Sequence, residues 1–219
     1  MCLIVLAWRV HPELELAVAA NRDEFHARPA AAAAFWEDHP GILAGRDLEA
    51  RGTWMGVSRG GRFAAVTNYR GAFEPRAAQS RGALVSRFLH GSLAPGEYLG
   101  TLKAELYSGF NLLAADGREL WWMSNRGGPP RRLDPGIYGL GNALLDVPEL
   151  EAIKRTFAAE LQPAPAVERL FAVLGKARIL NPEYGTRCST ILLKGARTRY
   201  VERSFAPDGS AGETLHYEL

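Results

Sequence analysis

The amino-acid sequence predicts an α+β protein with antiparallel sheets. Segments with strand character come as neighbouring pairs joined by tight turns, and helical segments also come in pairs. Strands and helices therefore do not alternate as they would in a parallel βαβ fold. The length of 219 residues suits one or at most two domains. Because the chain carries no repeat and no low-complexity linker, we predict a single domain over residues 1–219.

Ten segments are rich in apolar and β-branched residues and are bounded by turn residues, which is typical of strands. Turns at residues 11–12, 59–61 and 116–117 separate three successive pairs, and the last of them, Asp116-Gly117, is the strongest hairpin signal. In order, the predicted strands are residues 2–9, 14–20, 53–58, 62–69, 110–115, 119–123, 137–141, 190–194, 199–205 and 214–219.

Helical spacing of apolar residues appears in two blocks. The predicted helices are residues 80–90, 95–107, 148–161 and 164–174. Ser80 is the expected N-cap of the first helix, and Gly175 is expected to end the last one. The alanine run at residues 30–34 is expected to form a loop or a helical turn.

Composition excludes several classes of protein. The net charge of +2, from 26 basic and 24 acidic residues, is too small to predict nucleic-acid binding. The apolar run near the start covers only residues 2–8 and no export signal precedes it, so we expect neither a membrane span nor secretion. Two cysteines make no disulfide framework, which favours a cytoplasmic protein. The five histidines are scattered, so no metal site is predicted, and the oligomeric state stays open.

One motif resembles the nucleophile elbow of α/β-hydrolases. The string Gly56-Val57-Ser58-Arg59-Gly60 fits its G-x-S-x-G pattern, but that elbow needs a helix directly after it. A predicted strand follows here. We therefore expect Ser58 to be a hairpin residue rather than a nucleophile.

The residue that suggests chemistry is Cys2. Removal of Met1 by an aminopeptidase would leave Cys2 with a free α-amine. An N-terminal amine has a pKa of about 7.7–8.0 and a thiol one of about 8.5, so the amine can take the thiol proton near neutral pH. One residue then supplies both nucleophile and general base, as in N-terminal-nucleophile (Ntn) hydrolases. The alternative is a small apolar residue at the start of a core strand.

The string Asn21-Arg22-Asp23-Glu24 follows the second predicted strand. It could be an ordinary solvated turn. If the hairpin folds it back beside Cys2, Asp23 can accept a bond from the α-amine and Arg22 can lower the pKa of the thiol.

These motifs resemble the NRDE family, which includes the transport and Golgi organisation protein two homologues. The resemblance begins with Met1-Cys2 and Asn21-Arg22-Asp23-Glu24 and extends over nearly the whole chain. Further matching strings are Gly45-Arg46-Asp47, Gly52-Thr53-Trp54-Met55-Gly56, Val66-Thr67-Asn68-Tyr69-Arg70, Ser80-Arg81-Gly82, Gly109-Phe110-Asn111-Leu112, Tyr138-Gly139-Leu140-Gly141-Asn142, Tyr184-Gly185-Thr186-Arg187 and Glu202-Arg203. The resemblance implies an Ntn-hydrolase-like fold, a four-layer αββα sandwich of two antiparallel sheets.

A more distant similarity to choloylglycine hydrolases and penicillin V acylases implies a set of catalytic residues. In those enzymes a cysteine nucleophile works with an arginine, an aspartate, two asparagines and a later arginine. The matching residues here are Cys2, Arg22, Asp23, Asn68, Asn142 and Arg187. By this similarity Asn68 donates to the oxyanion, Asn142 orients the α-amine, and Arg187 bonds Asp23 or supports the thiolate. Otherwise the asparagines are turn residues and Arg187 a surface residue.

This sequence departs from the acylases at one point. They separate the arginine and aspartate by two residues, whereas Arg22 and Asp23 are adjacent and should face opposite sides of a strand. Asn21 or Glu24 would then take part, and we count both as candidate binding residues. Tyr69 and Asn111, from the matched strings, are two further candidates. Cys188 is expected to fill core space.

The resemblance leaves three functions open. The first is an amidase that cleaves a linear C–N bond of a small acyl amide without a cofactor. The second is a non-catalytic carrier of haem, a lipid or acyl-CoA. The third is an interaction domain in membrane traffic or secretion.

Overall fold

The computed structural model describes residues 2–71 and 77–219. Within these residues the chain forms two antiparallel sheets and four α-helices, as the α+β prediction requires. The chain divides into two compact units. The first comprises Met1–Arg28, Pro135–Gly141 and Leu145–Leu219, and the second comprises Pro29–Asp134 and Asn142–Leu144.

The sheet of the first unit has six strands. They are β1 (Leu3–Trp8), β2 (Leu14–Phe25), β10 (Gly136–Leu140), β11 (Tyr184–Gly195), β12 (Thr198–Phe205) and β13 (Ala211–Glu218). Their order across the sheet is β10-β1-β2-β11-β12-β13, so the N-terminal hairpin lies between two later parts of the chain. Every residue of β1 is buried, which explains its unbroken apolar sequence.

Two helices cover one face of this sheet. They are α3 (Glu151–Glu160), preceded by a 3-10 turn at Pro148–Leu150, and α4 (Val167–Gly175). The core between helices and strands contains apolar side chains at alternate strand positions and on one stripe of each helix. Its buried members include Leu3, Val5, Ala17, Ala19, Phe157, Leu170, Leu174, Ile191 and Val201.

The sheet of the second unit is a seven-stranded meander in sequence order. Its strands are β3 (Ala30–Phe35), β4 (Ile42–Asp47), β5 (Met55–Ser58), β6 (Phe63–Asn68), β7 (Phe110–Ala115), β8 (Leu120–Ser124) and β9 (Arg131–Leu133). Helices α1 (Gly82–His90) and α2 (Pro95–Gly100) pack on one face through a core that includes Leu84, Phe88, Tyr98, Phe110 and Leu112.

The predicted hairpins are confirmed, including the turns at residues 59–61 and 116–117. In both turns a glycine has positive φ, +79° at Gly61 and +90° at Gly117, a conformation that side chains disfavour. Ser58 ends β5 and leads into a hairpin, so it is not on a nucleophile elbow.

Four local predictions are wrong. The run at residues 30–34 forms edge strand β3, because its backbone pairs with β4 and needs no strand-forming side chains. The predicted helix 95–107 ends at Gly100 and is followed only by a 3-10 turn at Ala104–Leu106. The helix predicted from residue 164 begins at Val167. Ser80 is not an N-cap: Arg81 holds that position, without a side-chain bond.

None of the helices in the described ranges, 2–71 and 77–219, has the length and apolar character needed to cross a membrane.

Candidate functional site

Cys2 lies immediately before β1, beside the backbone of Asp23. The β1–β2 hairpin pairs Leu3 with Asn21, and this register brings the next residues of β2 alongside Cys2. The Asp23 N–H donates to Sγ at 3.4 Å, and the thiol donates to the Asp23 carbonyl oxygen at 3.5 Å. The hairpin therefore places the Asn21–Glu24 segment next to the cysteine, as predicted.

Burial raises the pKa of the Cys2 thiol to about 11. The N–H of Asp23 and the positive charge of Arg22 act in the opposite direction, while the negative charge of Asp23 raises the pKa further. At neutral pH the thiol is protonated, so a nucleophilic sulfur needs a base. The α-amine that removal of Met1 would expose is such a base, although Met1 itself is outside the described residues.

Asn21 and Asp23 point toward the helix-covered face of the first unit. The Nδ2 of Asn21 donates to the Leu174 carbonyl at the end of α4, at 3.1 Å, and its Oδ1 accepts from Ser189 Oγ at 2.6 Å. The carboxylate of Asp23 accepts from Thr186 Oγ1 at 2.6 Å. Both side chains are buried, so they act as fixed structural partners inside the unit.

Arg22 and Glu24 occupy the alternate positions of β2 and so point to the opposite face. Their side chains form an ion pair with 4.0 Å between Nη2 and Oε2. Arg22 and Asp23 therefore diverge, as expected for adjacent strand residues. Of this pair, Arg22 supplies the positive charge that favours the Cys2 thiolate.

Arg187 lies in a bulge of β11, where the register with β2 shifts between Thr186 and Cys188. Its Nη1 donates to the carbonyl oxygens of Phe25 and Arg28, at 2.9 and 3.0 Å. These bonds fix the segment after β2. The family resemblance gave Arg187 either a bond to Asp23 or a supporting role at the thiolate, and both stay predictions, while Thr186 donates to the Asp23 Oδ1.

Cys188 is buried next to Glu202 on β12. Burial, followed by the negative charge of Glu202, raises the pKa of its thiol well above the usual range. This environment keeps the thiol neutral and fits the predicted role as a core residue.

The second unit holds the predicted asparagines. Asn142 donates from Nδ2 to the Asn68 carbonyl at 2.6 Å, and its own carbonyl accepts from Arg70 N at 2.7 Å. Asn142 thus holds the backbone at the end of β6. The carboxamide of Asn68 is exposed and makes no hydrogen bond to any other described residue. Its role at an oxyanion, and that of Asn142 at the α-amine, stay predictions.

Asn111 is fully buried behind this loop. Its Nδ2 donates to Thr67 Oγ1 at 3.2 Å and to the Ala143 carbonyl at 2.9 Å. It therefore supports the segment that carries Asn142 and is itself inaccessible to a ligand. Tyr69 follows β6, with its N–H bonded to the Gly109 carbonyl at 2.9 Å, and is partly exposed.

Sequence reasoning missed Thr186 and Ser189 as partners of the Asn21–Glu24 segment. Thr186 lies within the matched string Tyr184-Gly185-Thr186-Arg187, which was a usable signal. The sequence carried no such signal for Ser189, because its bond to Asn21 depends on the non-local register between β2 and β11. Within the described ranges, no three acidic, histidine or cysteine side chains are placed to hold a metal ion.

Comparison with solved structures identifies the fold. The chain superimposes on a penicillin V acylase from Agrobacterium tumefaciens with a TM-score of 0.53 at 13% identity, covering 100% of this chain and 86% of that one. A mutant conjugated bile acid hydrolase from Clostridium perfringens gives 0.58 at 9% identity, covering 99% and 97%. The fold is that of the Ntn hydrolases, as the family resemblance implied.

Sequence comparison identifies the family. The family model described as Transport and Golgi organisation 2 matches residues 1–182. A Transport and Golgi organization protein 2 homolog from Bos taurus is 36% identical over 100% of this chain and 99% of its own length. The Homo sapiens homolog is also 36% identical, with the same coverage. The chain therefore belongs to the Transport and Golgi organisation 2 family.

Proposed function

We propose that the chain is an Ntn cysteine amidohydrolase that cleaves a linear C–N bond of a small acyl amide. The observation that carries this proposal is the position of Cys2. Its sulfur lies at the head of a buried strand, fixed against the Asp23 backbone and within the field of Arg22.

The proposed reaction starts once Met1 has been removed. The α-amine of Cys2 takes the thiol proton, and the sulfur forms a C–S bond with the amide carbonyl carbon. The C–N bond then breaks, and the leaving nitrogen receives the proton held by the α-ammonium. Water next attacks the thioester carbon, which releases the carboxylic acid and restores the thiol.

Two features of the surroundings of Cys2 support the first step of this scheme. The positive charge of Arg22 favours the thiolate over the thiol. The fixed Asp23 N–H restricts where the sulfur can lie. For the negative oxygen of the tetrahedral intermediate, the family resemblance implies Asn68, whose carboxamide donates to none of the other residues that the structure describes.

The first test is the intact mass of the purified protein, before and after iodoacetamide at pH 7. We expect the mass to lack Met1, with a single fast alkylation that Cys2→Ser abolishes and Cys188→Ser leaves in place. Retained Met1 with a slow Cys2 would contradict the mechanism, because no free amine would then serve the thiol.

The second test is hydrolysis of fluorogenic acyl amides of graded chain length. We expect turnover in the wild type, none in Cys2→Ser, and a loss of about 10²–10³-fold in kcat/KM for Asn68→Ala. Absence of turnover together with tight binding of haem or acyl-CoA, unchanged in Cys2→Ser, would favour a carrier instead.

A further inference from the structure

A cavity of about 450 Å³ lies in the first unit, on the helix-covered face of the six-stranded sheet. This volume is within the range of small-molecule binding pockets. Its residues come from the start of β1, the first turns of α3 and the end of α4. They are Leu3, Glu149, Leu150, Ala152, Ile153, Thr156, Val173, Lys176, Ala177 and Ile179. None of them belongs to the set proposed for catalysis.

The inner surface of the cavity is apolar. Leu3, Leu150 and Val173 are almost fully buried and form its floor, and Ile153 and Ile179 are partly exposed. Thr156 does not make the interior polar, because its hydroxyl donates to the Ala152 carbonyl at 3.0 Å. This interior suits a hydrocarbon group and offers little to a polar one.

Charged residues are confined to the exposed positions of the lining, Lys176 and Glu149. Lys176 follows α4 and forms no ion pair with another described residue. The helical segment that begins at Pro148 adds no row of free N–H groups near the opening, because proline has no N–H and those of Leu150 and Glu151 bond the Val147 and Pro148 carbonyls. The carboxylate of Glu149 lies in the first turn of that same segment, where the helix dipole stabilises it.

We propose that this cavity binds a small apolar monocarboxylic acid. The hydrocarbon tail fills the apolar interior, and the carboxylate lies at the opening beside the Lys176 ammonium. The negative charge of Glu149 repels a second negative charge on the ligand, so a dicarboxylate is disfavoured. The proposal is independent of the function proposed above, because the pocket residues and the catalytic candidates are different.

The test uses decanoate as the probe, titrated into the full-length protein by isothermal titration calorimetry at pH 7.5. Decanol and decylamine share its tail and replace the carboxylate by a neutral or a positive group. We expect one decanoate per chain, with decanol and decylamine each at least tenfold weaker. Equal binding of decanol, stronger binding of decylamine, or no binding of decanoate would overturn the proposal.

Variants locate the site. Lys176→Glu should weaken decanoate at least tenfold, and Ala152→Phe, at an exposed helical position of the lining, should do the same by occupying the cavity. Lys103→Glu changes the net charge by the same amount on an exposed residue of the second unit and should have no effect. Glu149→Gln should tighten binding severalfold.

Circular dichroism and thermal melting establish that each variant is folded before it is titrated. Undiminished binding in both Lys176→Glu and Ala152→Phe would contradict the assignment to this cavity, as would an equal loss in Lys103→Glu.

Discussion

The four side chains of the Asn21–Glu24 segment divide between the two faces of β2. Asn21 and Asp23 are buried and bonded to Ser189, to the end of α4 and to Thr186. Arg22 and Glu24 pair with each other on the opposite face. Asn21 and Asp23 therefore stabilise the first unit, whereas Arg22 and Glu24 place charge near Cys2.

Removal of the Thr186 hydroxyl should destabilise the protein. Thr186 donates to the Asp23 carboxylate at 2.6 Å and accepts from Ile179 N at 2.9 Å, and all three groups are in the interior or close to it. Thr186→Val keeps the shape but leaves a buried carboxylate oxygen and an N–H without these bonds. We expect a loss of about 1–3 kcal/mol in the free energy of unfolding, measured by urea denaturation.

The matched control is Thr156→Val, whose hydroxyl only donates to a carbonyl within its own helix. It should cost less than about 0.5 kcal/mol. Equal stability of Thr186→Val and wild type would mean that the Asp23 carboxylate does not depend on Thr186.

Stability should fall at alkaline pH while Met1 is retained. The pKa of the Cys2 thiol is raised from 9.0 to about 11, so between these values the unfolded chain loses a proton that the folded chain keeps. Folding free energy is therefore lost as pH rises from about 9 to 11, by up to about 3 kcal/mol from this group. Melting temperatures of wild type and Cys2→Ala at pH 8, 9, 10 and 11 test this, on protein produced with methionine aminopeptidase inhibited so that both keep Met1.

Cys2→Ala should show a shallower decrease than the wild type above pH 9, and the two should run parallel below it. Parallel decreases over the whole range would mean that the thiol titrates normally in the folded protein.

At the scale of single elements, Asn21 joins β2 to the end of α4. Its amide donates to Leu174 O and its oxygen accepts from Ser189. Asn21→Ala would remove the partner of the buried Ser189 hydroxyl and one of the bonds to Leu174 O, which also accepts from the N–H groups of Lys176 and Ala177. We therefore expect a loss of about 1–3 kcal/mol. Amide hydrogen exchange in α4 should accelerate more than exchange in α1 of the other unit, because α1 responds only to the loss of global stability.

Unaltered exchange in α4 would contradict this assignment. Ser189→Ala offers a milder comparison, because it removes only one of the two bonds and should speed exchange in α4 less.

Elements that depend on neighbouring residues were predictable from sequence, and elements that depend on distant ones were not. The hairpins at residues 59–61 and 116–117 follow from glycines that accept positive φ. Strand β3 could not be predicted from its alanines, because pairing with β4 alone makes it a strand. The bulge at Arg187 also depends on a distant pairing, that of β11 with β2.

The same distinction applies to the candidate site. The position of the Asn21–Glu24 segment beside Cys2 follows from a local hairpin and was predicted. The partners Thr186 and Ser189 come from a strand more than 150 residues later. A matched string contains Thr186, but only the register between β2 and β11 shows that either residue bonds to this segment. The bonds from Arg187 to the carbonyls of Phe25 and Arg28 also depend on that distant pairing, and its catalytic role stays a prediction.

At the scale of the whole molecule, the path of the chain links its two units. The chain leaves the first unit after Arg28, returns at Pro135, passes through the second again at Asn142–Leu144, and ends in the first. Neither unit is a continuous segment, so unfolding one removes the anchors of the other's chain ends. This connectivity supports the expectation that the protein unfolds as a single cooperative domain.

Phe157→Ala tests that expectation. Phe157 is fully buried in the core between α3 and the six-stranded sheet, so its truncation should cost about 3–5 kcal/mol. Leu180→Ala, at a side chain that is 66% exposed, should change stability by less than about 0.5 kcal/mol. Urea denaturation measures the free energy of unfolding of each variant. Hydrogen exchange is then measured in β1 of the first unit and in β7 of the second. If the chain is a single domain, Phe157→Ala lowers the protection of both strands against exchange by the same free energy. A loss of protection confined to β1 would show that the units unfold separately. The chain would then count as two domains.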